Sequence, residues 1–257
     1  MTFDVPAEAY QRFMGRYSEP LAQRTLDVVG ELDGVRALDV GAGPGAIAAA
    51  LTATPGVTPV AAVDPSPSFV EALRERLPGC DARVADAESL PFADDAFDLV
   101  IAQLVVNFLR DPHAAIREMA RVTRPGGVIA ASVWDFGGGR APLSLFWHAA
   151  REMDPTVDDE TGGVGTGRGQ IADLFRSNGL VEVVEHELEV HVPYTGVDDW
   201  WGPYELGVGP AGAFVATLDA AARAELRVRC GALLPGPSGV IDAVAWCAVG
   251  RTPRIDR

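Results

Sequence analysis

The sequence predicts a doubly wound α/β fold: a mostly parallel sheet with helices on both faces, carrying an inserted helical cap. Three observations lead there. Apolar strand-length runs alternate with helical stretches between residues 35 and 134, the pattern that βαβ units produce. The first run, Ala37-Leu38-Asp39-Val40, enters the glycine turn Gly41-Ala42-Gly43-Pro44-Gly45 and then the apolar helix Ala46–Leu51. Polar residues also recur at the ends of the runs: Asp39, Asp64, Asp86 and Gln103. Ligands of such sheets bind beyond the carboxyl ends of the strands, at the switch point beside the first one.

Taken in order, Pro6–Met14 and Ser18–Val29 read as two helices ahead of the core. Ser18 is placed to cap the second, with Pro20 in its first turn and Gly30 after its end. Val57–Asp64 is the second strand. Ser66 then caps a helix with Pro67 at its first position and Gly79 near its end. Ala82–Ala85 is a short third strand. Phe97–Gln103 is a fourth, apolar enough to be buried on both faces. Asp111-Pro112 opens a helix through Val122 as cap and first-turn proline. Arg124-Pro125-Gly126-Gly127 turns into a fifth strand, Val128–Trp134.

Beyond Trp134, Phe136–Gly139 reads as a glycine-rich hinge and Pro142–Met153 as a helix. Asp154–Gly169 is polar and glycine-rich, the composition of a mobile loop. Ile171–Ser177 is a helix ended by Asn178-Gly179. Val181–Val192 and Val240–Val249 complete seven strands, and the adjacent pair Val183-Val184 marks a bulge in the first of these two. The cap spans about 194–239, with Gly207-Val208-Gly209-Pro210 opening one of its helices towards a ligand. One domain is therefore expected across residues 1–257: an N-terminal helical arm at 1–34, a ligand-binding core at 35–135, and a C-terminal part at 136–257 that carries the cap.

Composition narrows the function. The 257 residues suffice for one large core plus a cap. All 21 basic residues are arginine, and the formal net charge is −15. That balance argues against a nucleic-acid partner, since phosphate backbones need clustered cations. Cys80, Cys230 and Cys247 lack metal-ligand spacing and read as buried free thiols of a reducing, cytoplasmic compartment; no metal is expected. Met1–Tyr10 has no basic region followed by an apolar core, so no secretory leader is expected there. No apolar run reaches membrane-spanning length.

The glycine turn admits two ligand classes. Gly41, Gly43 and Ala46 satisfy the dinucleotide pattern G-x-G-x-x-G/A, which leaves an NAD(P)-dependent oxidoreductase open. Asp39, two residues before the first glycine, points to the other class: a buried acid needs partners, which loop N–H groups or an ammonium group on the ligand could supply. Asp64, at the tip of the second strand, suits a ribose diol in either class, since one carboxylate accepts both hydroxyl protons.

The set Leu38-Asp39-Val40-Gly41-Ala42-Gly43-Pro44-Gly45 resembles the first motif of the class I S-adenosylmethionine (SAM)-dependent methyltransferases. Asp64-Pro65-Ser66, Asp86-Ala87-Glu88-Ser89-Leu90-Pro91-Phe92, Phe97-Asp98-Leu99-Val100 and Arg124-Pro125-Gly126-Gly127 look like the motifs that follow it. The resemblance runs from about Tyr10 to Trp134. It implies the Rossmann-like methyltransferase fold with an antiparallel last pair of strands, and SAM as cofactor. It also implies Asp64 on the ribose hydroxyls, Asp86 and Ala87 at the adenine edge, and Gln103 at the methionine end. Gly41, Ala42, Gly43, Pro65 and Ser66 belong to the same cofactor set. Similar sequences often carry a histidine within Leu104–Leu109, where this chain has Asn107.

Outside those motifs the side chains are less specific. The segment Tyr10–Tyr17 is either an arm packed on the domain or a flap over the cofactor, with Arg16 available to a carboxylate. His148, beside Trp147, is the best-placed histidine for a base, against a packing or surface role. Trp200, Trp201 and Tyr204 form either a cap core or, with Trp134 and Trp147, an aromatic wall for an apolar acceptor. The reading that results is a SAM-dependent methyltransferase acting on a small molecule. A SAM-binding protein without catalysis is the alternative outside enzymes, and it would lack an open acceptor pocket.

Overall fold

The computed structural model describes residues 5–254. Met1–Asp4 and Ile255–Arg257 lie outside the described residues, and the reading of Met1–Tyr10 as leader-free falls partly there.

The chain opens with α1 (Ala7–Tyr10), a π-helical turn at Gln11–Gly15, and α2 (Arg16–Val28). The Rossmann-like half follows: β1 (Val35–Val40), α3 (Ala46–Ala53), β2 (Val57–Asp64), α4 (Pro67–Arg76) and β3 (Asp81–Val84). Then come β4 (Phe97–Gln103), α5 (Pro112–Val122) and β5 (Thr123–Trp134). The C-terminal part has α6 (Ser144–Met153), α7 (Gln170–Ser177) and β6 (Val181–Tyr194). The cap helices α8 (Val197–Trp201), α9 (Gly209–Thr217) and α10 (Ala220–Leu233) precede β7 (Gly239–Arg251).

The seven strands are ordered β3-β2-β1-β4-β5-β7-β6. β1 pairs in parallel with β2 and β4, and the order reverses there. β7 is antiparallel to both β5 and β6, as the resemblance implies. Alternate residues of each strand feed opposite faces. Ala37, Leu99 and Ile101 pack with α2, α3 and α4. Leu38, Val100 and Ala102 pack with α5 and α7. A third core joins the arm, α6 and the cap helices to the inner face of β6 and β7.

Three local expectations change. The two N-terminal helices are one continuous arm, and Ser18 is buried inside α2 rather than capping it. The apolar stripe Phe13, Met14, Tyr17 and Leu21 runs through the would-be break and buries against the cap, so packing overrides the local cap signal. Arg124–Gly127 is not a turn ahead of β5 but an irregularity within it: Phe97 pairs with Thr123, whereas Leu99 pairs with Val128. Asp154–Gly169 is tied down. It contains a 3₁₀ turn at Glu160–Gly162, Arg151 bridges to Asp159, and the Thr166 carbonyl accepts the Gly137 N–H at 2.9 Å. Ser66 stands at the N-cap position of α4 but makes no side-chain cap hydrogen bond there; other local expectations hold. Asp111 caps α5 by accepting the Ala114 N–H at 2.9 Å. The register of β6 shifts between Val181 and Val184, at the expected bulge. Cys80, Cys230 and Cys247 are buried and free. No helix among the described residues is long and apolar enough to cross a membrane.

Candidate active site

The site begins with the glycine turn after β1. Gly41, Gly43 and Gly45 all have positive φ, at 69°, 54° and 92°, a region costly for residues with a Cβ. At Gly41 there is also no room, because a Cβ there would lie 2.4 Å from Cγ2 of Val105. The Val63 carbonyl accepts the N–H groups of Gly41 and Ala42 at 2.8 and 2.9 Å, which binds the turn to β2.

Two acids sit under the turn. Asp39 is 1% exposed and accepts the Ala48 N–H at 2.9 Å. Asp64 accepts the N–H of Gly43 through one oxygen and that of Ser66 through the other, both at 2.8 Å. Burial pushes the Asp39 carboxyl up to about 7; the Ala48 N–H opposes this and the Asp64 charge adds to it. Burial likewise raises Asp64, against the pull of its two N–H donors. A positive charge brought here would relieve both acids.

A cleft of about 910 Å³, counting its open mouth, lies beyond the ends of β1, β2 and β4. Gly41, Gly43, Asp64, Pro65, Asp86, Ala87 and Gln103 all line it. Asp39 and Ala42 line a smaller recess that adjoins it, shared with Gly41 and Gln103. Ser66 occupies the N-cap position of α4 and lines neither cavity; its hydroxyl lies 2.9 Å from that of Ser68. Gln103 is committed at both ends of its amide, accepting from the Thr25 hydroxyl at 3.2 Å and donating to the Ser18 carbonyl at 2.9 Å. It fixes α2 against the tip of β4.

The arm covers this cleft, but not through Arg16. The Arg16 guanidinium donates to the Pro193 carbonyl at 2.7 Å and pairs with Asp199 at 3.4 Å, at the junction of arm and cap. The residue over the glycine turn is Tyr10. It packs edge-on against Phe69 with ring centroids 5.3 Å apart, and is the side chain nearest to where a Gly43 Cβ would stand. Burial, with the charges of Asp64 and Asp39, holds its phenol well above the ordinary tyrosine range.

A second chamber of about 430 Å³, again counting its open mouth, lies beside the first. Tyr10, Leu104 and Phe108 line both cavities. Leu104 holds a φ of 61°, a strain of about 1–3 kcal/mol that surrounding structure must enforce. Phe13, Met14, Trp134, Phe136, Leu143, Val208 and Pro210 make the rest of the chamber largely apolar. Besides the Tyr10 phenol and the Trp134 indole, its polar side chains are Asn107 and Glu160. The Glu160 carboxylate accepts the Trp147 indole N–H at 3.0 Å.

Of the expected aromatic wall, only Trp134 lines the chamber. Trp147, Trp200, Trp201 and Tyr204 are 2–3% exposed and form the cap core. Tyr204 stacks on Phe146 at 4.6 Å, and Trp200 and Trp201 lie against Tyr204. His148 is on the solvent side of α6, paired with Glu152 at 3.4 Å. Residues 147 and 148 are consecutive on a helix, so burying Trp147 turns His148 outward. At the start of α9, Val208, Gly209 and Pro210 line the chamber. Leu104, Phe108 and Glu160 are not singled out by the sequence. The positive φ of Leu104 leaves no trace in composition, and Glu160 is hidden among the acids of its loop.

Residues 38–131 match a family model described as a methyltransferase domain. An uncharacterized protein of Mycobacterium tuberculosis is 32% identical over 206 residues, covering 66% of this chain and 74% of that protein. An uncharacterized methyltransferase of Mycolicibacterium vanbaalenii is 38% identical over 155 residues, covering 54% of this chain and 60% of that protein. The fold is shared with the phosphoethanolamine N-methyltransferase 2 of Haemonchus contortus, solved with S-adenosyl-L-methionine. The TM-score is 0.62 at 18% identity, over 96% of this chain and 57% of that one. The matched domain runs from within β1 into β5 and contains the glycine turn and the strand ends that line the cleft. The chain belongs to the class I S-adenosylmethionine-dependent methyltransferases.

Proposed function

We propose that the chain methylates a small molecule seated in the apolar chamber, with SAM in the adjoining cleft. The observation that carries this reading is the shared wall of Tyr10, Leu104 and Phe108 between two adjoining cavities, one polar and bounded by the glycine turn and the strand-end acids, the other largely apolar. The cleft suits SAM on three counts. Gly41 and Gly43 line it with backbone alone, so no side chain stands between the turn and a ligand. Asp64 presents a carboxylate at the lip whose oxygens each take one N–H and keep acceptor capacity for ribose hydroxyls. Asp39 and Asp64 supply negative charge beside the place where a sulfonium or an ammonium would lie.

In this reading Asp64 binds the ribose, and Asp86 and Ala87 flank the base. The glycine turn lets the backbone approach the amino-acid end, where Gln103 closes the floor. When bound, SAM supplies an electrophilic methyl group on sulfur. Tyr10, Leu104 and Phe108 hold the acceptor atom on the far side of that methyl, exclude water from the line of attack and fix the approach. An open chamber under the cap also distinguishes an enzyme from a protein that only binds the cofactor. A methyl-transfer screen tests the reading, with small phenols, amines and carboxylic acids run beside RNA, DNA and protein fractions. Transfer to small molecules is expected. Transfer to a macromolecular fraction alone overturns the small-molecule assignment.

A further inference from the structure

The chamber contains one carboxylate, and the chemistry above does not use it. Glu160 lies in the 3₁₀ turn after α6 and lines the chamber. Trp147 fixes its orientation by donating to one oxygen at 3.0 Å. Asp159, next to it, is turned away and held by Arg151 and by the N–H of Thr161 at 2.9 Å. The Trp147 indole is therefore the neutral donor that holds Glu160, while Arg151 of α6 goes to its neighbour. Two residues that line the chamber also carry a buried polar atom without a partner: Oδ1 of Asn107 and the indole N–H of Trp134. Such atoms are costly unless something in the cavity meets them.

We infer that Glu160 is the proton acceptor for an acceptor molecule that attacks through an O–H or N–H group, with Asn107 and Trp134 positioning that molecule. This rests on the small-molecule reading and sharpens it. The substrate is an apolar or aromatic body with a single protic nucleophile. In the step, the acceptor heteroatom forms its bond to the methyl carbon as the methyl–sulfur bond breaks and its electron pair goes to sulfur. The acceptor's proton passes to a free oxygen of Glu160. The sulfonium charge and the carboxylate charge are lost together, leaving methylated acceptor, S-adenosylhomocysteine and a neutral carboxylic acid.

The surroundings suit a base that works near neutrality. Burial pushes the Glu160 carboxyl up to about 7, the Trp147 N–H pulls it down, and the Asp159 charge adds to the rise. Of the chamber residues, only Tyr10 is also titratable, and it stays a neutral phenol through this range. The active form of Glu160 is the carboxylate, so turnover rises as pH passes upward through about 7.

The test is Glu160→Gln, which keeps size and hydrogen bonding. Three readouts are made: S-adenosylhomocysteine affinity by calorimetry, the pH–rate profile with the best small acceptor, and the ¹⁵N–¹H signal of the Trp147 indole against pH. The expected result is unchanged cofactor affinity, turnover down about 10²–10⁴-fold, and loss of the ascending limb near pH 7. The indole signal should titrate with the same midpoint in the wild-type protein and stop titrating in the variant. Wild-type turnover that Glu160→Gln leaves intact overturns the inference, as does an indole titration unaccompanied by any change in the pH–rate profile. A wild-type protein that binds the cofactor but methylates no small molecule instead overturns the proposed function.

Discussion

The Asp64 carboxylate accepts the Gly43 N–H at 2.8 Å and so joins the tip of β2 to the glycine turn of β1. The acid proposed for the ribose is thereby also a brace for the turn that must lie beneath the cofactor. These two roles predict two effects of one change. Asp64→Ala should weaken S-adenosylhomocysteine binding by on the order of 1–3 kcal/mol, because charged hydrogen bonds disappear with the carboxylate. It should also raise hydrogen exchange at Gly43 in the free protein. Calorimetry showing unchanged affinity in a folded variant would remove Asp64 from the site.

Gly41 faces Val105 across the mouth of the turn, and this pair separates backbone strain from steric overlap. Gly41→Ala places a Cβ 2.4 Å from Cγ2 of Val105 at a φ of 69°. A destabilisation of about 1–3 kcal/mol is expected, seen as a Tm lower by several degrees in a chain of this size, together with weaker cofactor binding. Adding Val105→Ala should restore the steric part and leave the φ part. A double variant no better than Gly41→Ala alone would show that Val105 is not the obstacle.

The parts legible in the sequence are those that repeat or are punctuated. Strands and helices from Val35 to Trp134 are readable because buried apolar runs alternate with capped helices, and the acids stand where the strands stop. The cleft residues follow from those ends. The break in the arm is a false signal because Ser18-Glu19-Pro20 is a good local helix start, while the stripe that overrules it acts through tertiary burial. The aromatic wall misleads for a related reason. A tryptophan lining a pocket and one in a core look alike in sequence, and Trp147, Trp200 and Trp201 are almost wholly buried in the cap core, with Trp201 stacked near Tyr204. Glu160 is illegible because its partner, Trp147, lies thirteen positions earlier on another element.

Tyr10 and Arg16 belong to the same arm but face different neighbours, and they should separate in experiment. Tyr10→Ala removes the ring over the glycine turn and should weaken S-adenosylhomocysteine binding by roughly 1–2 kcal/mol, in proportion to the apolar area the ring shields from water. Arg16→Ala cuts a tie to Pro193 and Asp199 away from the cleft, and should change affinity less than about twofold, well under ~1.4 kcal/mol. Hydrogen exchange should show added protection at residues 7–15 on cofactor binding in wild type and in Arg16→Ala. If Arg16→Ala instead abolishes binding while Tyr10→Ala does not, the cofactor carboxylate reaches Arg16 after rearrangement of the arm.

Asp39 gives the fold a pH dependence whose sign follows from its burial. Its carboxyl is raised from 3.8 to about 7 in the folded chain. Between those values the unfolded chain has lost the proton and the folded chain still holds it, so the folded state binds more protons. Stability therefore falls as pH rises from about 4 to about 7, and levels off above. Bound cofactor reverses this if its positive end lies beside Asp39, because the charged form is then favoured. Asp39→Asn, which keeps a carbonyl oxygen for the Ala48 N–H, should flatten the free protein's stability profile across that window. It should also reduce the gain in stability on adding SAM at about pH 8, where the wild-type acid is ionised. Denaturant titrations at about pH 5, 6, 7 and 8, with and without cofactor, measure both quantities. A wild-type profile as flat as that of Asp39→Asn would mean that Asp39 is already ionised at about pH 5, its charge carried by the Ala48 N–H and the end of α3.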